Sequence, residues 1–209
     1  MMGREHIRNI NLLGNASIAA ILEPDADMRS TAAKLAPDAT FVEDVSAMAQ
    51  RDDIDALVIA SPNHLHIDQI EMLSANPRPL LVEKPLYTDT AQAARLEAIA
   101  ASYKAPVWVA MEYRYMPAVR RLIDEIPESA GDLKMLTIRE HRFPFLAKIG
   151  DWNRFNSNTG GTLVEKCCHF FDLMRLITGG EAVRVMASAG QAVNHLDAVS
   201  YTHLRAHET

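Results

Sequence analysis

The chain has 209 residues, 48% hydrophobic and 23% charged, the balance of a soluble globular protein able to bury one good core or two small ones. Its formal net charge of -6, with no Lys/Arg cluster, argues against a nucleic-acid partner. No apolar run reaches the roughly 20 residues a membrane span needs, the amino terminus carries no secretory pattern, and neighbouring Cys167 and Cys168 rarely pair with each other, which together predict a reducing, cytoplasmic setting.

Gly3 is followed by Arg4 to Leu13, which reads as a helix, and Ser17 to Leu22 reads as a short apolar strand. Asp25 to Leu35 has helical periodicity, with Ala26, Met28, Ala32, Ala33 and Leu35 as its inward positions. A strand over Thr40 to Val42 and a helix over Val45 to Ala49 follow. Asp55 to Ala60 is a near-continuous apolar run, which predicts a parallel strand covered on both faces. Next come a helix from Leu65 to Ser74, a strand at Pro79 to Val82, a long Ala-rich helix from Thr90 to Ser102 and a strand from Val107 to Met111. This βαβ rhythm predicts a doubly wound parallel sheet with right-handed crossovers.

After Tyr115 the rhythm changes. Ala118 to Ile126 reads as a helix, Leu133 to Phe143 as a long strand, and Phe145 to Thr159 as a loop. Gly160-Gly161 then opens a helix lasting to Ile177, and Val183 to Ala189 is a further strand. The expected division is a nucleotide-binding domain over 1–115 and an incomplete α+β domain over 116–198. Residues 199–209 break the pattern and read as a non-native tail, so the His203/His207 spacing is set aside as a metal site.

Pro79-Leu80-Leu81-Val82-Glu83-Lys84-Pro85 carries the sharpest chemical signal. The apolar run is a buried strand that Pro85 stops, so Lys84 stands at the strand's carboxyl edge, where open α/β sheets bind ligands. A lysine there can be partly desolvated and tuned for proton transfer; the plainer reading is a surface lysine after a strand. Gly3 fits the last glycine of a dinucleotide-binding turn, which puts the first strand upstream of the chain and makes Glu23 the carboxylate for the ribose hydroxyls. Ser61-Pro62-Asn63 follows the Leu57 strand and opens a helix whose end amides can face a nucleotide, or simply cap the helix. His64 and His66 diverge in direction, so no metal is expected there.

In Gly160-Gly161-Thr162-Leu163-Val164-Glu165-Lys166-Cys167-Cys168-His169-Phe170-Phe171-Asp172, a continuous helix places Glu165, His169 and Asp172 on one face. A carboxylate beside an imidazole sets its tautomer and raises its basicity. The alternative is a polar stripe toward solvent, but flanking Leu163, Cys168, Phe171 and Leu173 favour burial. Cys167 and Cys168 lack zinc-ligand spacing and read as packing residues.

Glu83-Lys84-Pro85, Ser61-Pro62-Asn63 with His66, and Gly-Gly followed by His169 and Asp172 together resemble the Gfo/Idh/MocA family, the relatives of glucose–fructose oxidoreductase and inositol dehydrogenase. The likeness runs from Gly3 to about Leu196. It implies an NAD(P)-binding Rossmann domain, in which the Glu23 carboxylate would favour NAD over NADP, then an α/β domain with a mostly antiparallel sheet, and reversible oxidation of a sugar or polyol hydroxyl. It also implies that Gly3, Glu23, Ser61, Pro62, Asn63, His66, Glu83, Lys84, Pro85 and Arg114 serve the cofactor. Lys84, His169 and Glu165 match the catalytic positions, with Glu165 standing where members usually carry aspartate. Trp152, Asn153, Arg154 and Asp172 would join Lys84 and His169 at the substrate. Lys166 and Cys167 replace the small residues often found there, which implies a substrate unlike that of the inositol enzymes. Full-length members commonly associate as homo-oligomers. On the same fold a non-catalytic dinucleotide sensor and an NAD-using glycosidase stand as the rival functions.

Overall fold

The computed structural model describes residues 2–140, 148–189 and 201–206, with the backbone alone for 188–189 and 201–206. Contacts divide the chain into two compact units, one formed by Met1–Ser61, Leu65–Leu86 and Ala91–Val109, the other by Pro62–His64, Tyr87–Thr90 and Ala110–Thr209.

The first unit alternates helices and short strands: α1 (Met2–Asn11), β1 (Ala20–Leu22), α2 (Ala26–Leu35), β2 (Thr40–Val42), α3 (Val45–Ala49), β3 (Leu57–Ile59), α4 (His66–Leu73), β4 (Leu80–Val82), α5 (Thr90–Ser102) and β5 (Val107–Val109). Every strand pair is parallel, with Ile21 opposite Phe41, Val58 opposite Leu81, and Leu81 opposite Trp108. This is the Rossmann-type α/β arrangement. Aspartates start two of the helices: the Asp25 carboxylate accepts the Met28 N–H at 2.9 Å and the Asp44 carboxylate accepts the Ala47 N–H at 2.7 Å. The main core lies between β3–β5 and the helices, where Val82 and Ile67 are fully buried, each contributing about 1.5–3 kcal/mol. A smaller core gathers Ile7, Ala32 and Ala36 under α1 and α2.

The β1–β2 pair and the β3–β4–β5 sheet are separate, with no ladder joining β1 to β3 among the described residues. Several details depart from the sequence expectation. The edge of β3 lacks the neighbour that would cover it, and Val58 is 41% exposed, so β3 is not enclosed on both faces. Helix α1 begins at Met2, which puts Gly3 inside the first turn rather than ahead of it. Ala26, expected to face inward, is exposed because it lies in the first turn beside the Asp25 cap.

In the second unit, α6 (Pro117–Ser129) opens on a proline, which suits the first helical position. The long strand expected over Leu133 to Phe143 does not form over 133–140, because no strand pairs with that stretch among the described residues and a lone strand has no ladder to stabilise it. Its 141–143 end lies outside the described residues, as do 145–147 of the expected loop and 190–200 and 207–209 of the last part of the chain. The rest of that loop is ordered as a 3-10 turn (Ile149–Arg154) and a one-turn helix, α7 (Asn156–Thr159).

The expected helix from Gly161 to Ile177 is two helices, α8 (Gly161–Glu165) and α9 (Cys168–Thr178). At the junction the Lys166 and Cys167 N–H groups both donate to the Thr162 carbonyl, at 2.9 and 3.1 Å. One carbonyl serves two donors, the ladder slips by a residue, and the turn widens. Helix α9 ends at Gly179 with φ +68°, a left-handed stop that glycine adopts at no steric cost. Strands β6 (Val185–Ala189) and β7 (Tyr201–Ala206) pair antiparallel, so part of the segment read as a tail is a strand.

Candidate active site

In the first unit the candidate residues stand at the carboxyl ends of parallel strands. Glu23 follows β1, and its carboxylate accepts the Asp25 N–H at 3.0 Å. Ser61 follows β3 and donates through its hydroxyl to Gln69 at 2.7 Å. Glu83, Lys84 and Pro85 follow β4, and the Lys84–Pro85 bond is cis. Glu83 is buried; its backbone N–H donates to Ile59 at 2.8 Å and its carboxylate lies 2.8 Å from the His6 ring of α1. Lys84 is half-buried.

His66 is fully buried, with Nδ1 2.9 Å from the Pro85 carbonyl and Nε2 3.1 Å from the Ser61 carbonyl. It ties the end of β3 to the end of β4 by its ring. A Cβ added to Gly3 would meet Ala60 at 3.8 Å, so the start of α1 packs against the chain leaving β3. Helix-start amides, a carboxylate after β1 and a carboxylate–lysine pair after β4 form a donor and acceptor set that suits a dinucleotide.

The second unit holds a denser cluster. Tyr113 lies in a 3-10 turn (Glu112–Tyr115), and its ring stacks on the His169 imidazole, 4.2 Å between centroids and 6° from parallel. His169 is 1% exposed, and its Nε2 lies 3.3 Å from the Glu112 carboxylate. Lys166 is buried, donates to the Tyr113 hydroxyl, lies 4.4 Å from that ring's centre and pairs with Glu140 at 3.5 Å.

Arg114 forms a two-pronged ion pair with Asp172, Nε donating to Oδ2 at 2.6 Å, and the carboxylate holds the guanidinium above its ordinary pKa. A residue expected at the cofactor and one expected at the substrate are thus bound to each other. Glu165 ends α8, buried, with its carboxylate 3.8 Å from Lys148. Glu165 ends α8 whereas His169 and Asp172 lie on α9, so the three are not on one continuous helix as expected.

Lys148 also lies 4.3 Å above the Trp152 ring, whose edge meets His64. Asn153 is buried, and Arg154 pairs loosely with Asp151 at 3.4 Å. The Asn63 amide nitrogen is buried without a hydrogen-bond partner among the described residues, a donor that a ligand oxygen would satisfy. Burial and then Glu140 push the Cys167 thiol pKa up, against the opposing effect of Lys166.

Sequence reasoning did not find His6, Glu112, Lys148 or the bond between Lys166 and Tyr113. His6 and Glu83 are 77 residues apart, a pairing no local pattern announces. Lys166 did carry a signal, since it is a charged residue inside an apolar helical stretch.

The sequence model described as "Oxidoreductase family, NAD-binding Rossmann fold" (GFO_IDH_MocA) matches residues 1–111, and that of the family's C-terminal alpha/beta domain matches residues 125–203. The rhizopine catabolism protein MocA of Rhizobium meliloti is 28% identical over 186 residues, 86% of this chain and 55% of that protein. An inositol 2-dehydrogenase of Corynebacterium glutamicum (strain R) is 30% identical over 189 residues, 88% of this chain and 53% of that protein. The crystal structure of the WlbA (WbpB) dehydrogenase from Thermus thermophilus, in complex with NAD and alpha-ketoglutarate, superposes with a TM-score of 0.67 at 26% identity, covering 91% of this chain and 62% of that one. The chain spans about half the length of the curated relatives it matches.

Proposed function

The chain belongs to the Gfo/Idh/MocA oxidoreductase family, and from that premise we propose that the protein oxidises a hydroxyl of a neutral sugar or polyol with NAD. The observation that carries this reading is the buried His169 imidazole with a carboxylate against Nε2 and a phenol ring flat upon it. A nicotinamide cofactor, when bound, supplies the hydride chemistry. Helix α1 from Gly3, Glu23 after β1, Ser61, Pro62 and Asn63 after β3, and Glu83, Lys84 and Pro85 after β4 are the residues that would hold it. Glu23 favours NAD, since a carboxylate at the ribose repels a 2′-phosphate. His66 acts through its two carbonyl partners by fixing the segments that Ser61 and Pro85 belong to.

Lys84 polarises the substrate oxygen and His169 takes its proton. The Glu112 carboxylate lies 3.3 Å from Nε2, which favours a proton there and Nδ1 as the basic atom, and it steadies the imidazolium that forms. Trp152, Asn153 and Arg154 offer an apolar face and polar groups to a polyhydroxylated substrate. Arg114, Lys148 and Lys166 each face a carboxylate, which favours a neutral substrate over an anionic one.

The test is a panel of polyols and neutral sugars given to the full-length protein with NAD or NADP, read at the NADH absorbance. Turnover with NAD, lowered about 10²–10⁴-fold in Lys84→Met while NAD still binds, is the expected result. Cleavage of a glycoside without net NADH, or no reaction with any substrate, would overturn the reading.

A further inference from the structure

Lys166 occupies the slipped turn between α8 and α9, a buried cation in a place that nothing in hydride transfer to a neutral polyol demands. Its side chain is 9% exposed, whereas Glu112, the carboxylate against His169, is 51% exposed. Burying an ammonium is costly unless it is paired, and here Glu140 and the Tyr113 hydroxyl are its partners. The same Tyr113 whose hydroxyl accepts from the ammonium lies with its ring flat on His169. A second route runs through the backbone, where the Lys166 carbonyl accepts the His169 N–H at 3.3 Å.

We infer that Lys166 is a positioning residue for His169: acting through Tyr113, it fixes the plane of the imidazole and holds it in the neutral, proton-accepting form. The inference rests on the oxidoreductase reading, in which a neutral imidazole is the competent state. The groups around His169 set the sign. The turn of residues 112–115 brings Glu112, Tyr113 and Arg114, with Arg114 bound to Asp172 of α9 itself. Helix α8 brings Glu165 with Lys148, and the junction brings Cys167 and Lys166 with Glu140.

Glu112 favours the imidazolium, but it is half in solvent and therefore screened. Lys166 is buried, so its charge acts in a medium of lower dielectric. Its hydrogen bond to the Tyr113 hydroxyl also draws electron density out of the ring, which would otherwise stabilise a stacked imidazolium. Removing Lys166 strips away a repelling charge and frees that ring, and both changes raise the proton affinity of His169.

The experiment is a nuclear magnetic resonance titration of ¹³C-histidine-labelled full-length protein, beside the pH profile of kcat/KM. Lys166→Met should raise the His169 midpoint by about one pH unit, a roughly tenfold gain in proton affinity, and move the acid limb of the profile with it. Lys166→Arg should return both toward wild type. Lys166→Gln, which can still donate to the phenol but carries no charge, should behave as Met does, and it serves if the Met variant fails to fold. An unmoved midpoint in a variant that melts like wild type overturns the inference, as does an equal shift in Arg. The titration needs no turnover. A Lys166-dependent midpoint in a protein that reduces no NAD would remove the oxidoreductase reading alone, whereas turnover with an unmoved midpoint would remove only this inference.

Discussion

His169 and Glu165 are both deeply buried, and the carboxylate is 3.8 Å from Lys148. If Glu165 steadies His169, removing it after the histidine is gone changes little, because residues that act as a unit lose activity together. Glu165→Gln and His169→Ala should each slow turnover, and the double variant should be no slower than His169→Ala; strictly additive losses in kcat/KM would show Glu165 to be a packing residue with its own ion pair. Cys167 makes a second prediction. Its thiol pKa is raised by burial and then by Glu140, above the value of about 8.5 for a free thiol. A folded pKa above the unfolded one contributes stability that is complete below the unfolded value and lost as pH climbs through the folded value. Iodoacetamide at pH 8 should therefore label Cys167 more slowly than a free thiol, and melting of wild type should fall more steeply above pH 8.5 than that of Cys167→Ala. Fast labelling in the folded protein would contradict this. Lys84 and His169 stand out in the sequence as candidates because a strand followed by proline and a histidine-bearing helix are local patterns. The His6–Glu83 contact could not, since its partners come from distant segments.

Gly160 and Gly179 both hold left-handed backbone, at φ +72° and +68°, yet they differ in surroundings. A Cβ on Gly160 would stand 2.5 Å from the Thr88 carbonyl oxygen and 2.7 Å from the Val164 Cβ, whereas one on Gly179 would meet nothing within 4 Å among the described residues. Alanine at Gly179 should cost about 1–3 kcal/mol for the conformation alone. Alanine at Gly160 should cost clearly more, because a backbone oxygen cannot swing aside. Thermal melts of the two variants check this, and equal losses would mean that the Gly160 turn relaxes freely. Both glycines were visible in the sequence as helix punctuation. The break between α8 and α9 was not, because Lys166 and Cys167 both tolerate helix, and the slip depends on two N–H groups sharing the Thr162 carbonyl.

The five strands of the first unit lie in two separate sheets, so β1 and β3 each keep an edge that no ladder occupies among the described residues. Unpaired edges expose backbone donors and acceptors and invite association with other chains. In the doubly wound order the position between these edges belongs to a central strand. A polypeptide of residues 1–209 on its own should consequently unfold without a sharp thermal transition and show no upward shift with NAD. Calorimetry and circular dichroism read this directly. A cooperative melt that rises with NAD would show that β1 and β3 are stable as they stand.

Alternating apolar strands and amphipathic helices determined the α/β class, the parallel pairing and most element positions, since strand and helix periods are properties of neighbouring residues. The charged residues that end the β4 strand, and the histidine within the Gly160 segment, marked chemistry for the same reason. Only the tertiary structure decided that Arg114 closes on Asp172, that Glu83 meets His6, and that Lys166 reaches His169 through the Tyr113 ring. Those pairings join residues far apart in the chain, and their energies depend on burial and distance, which no local pattern encodes.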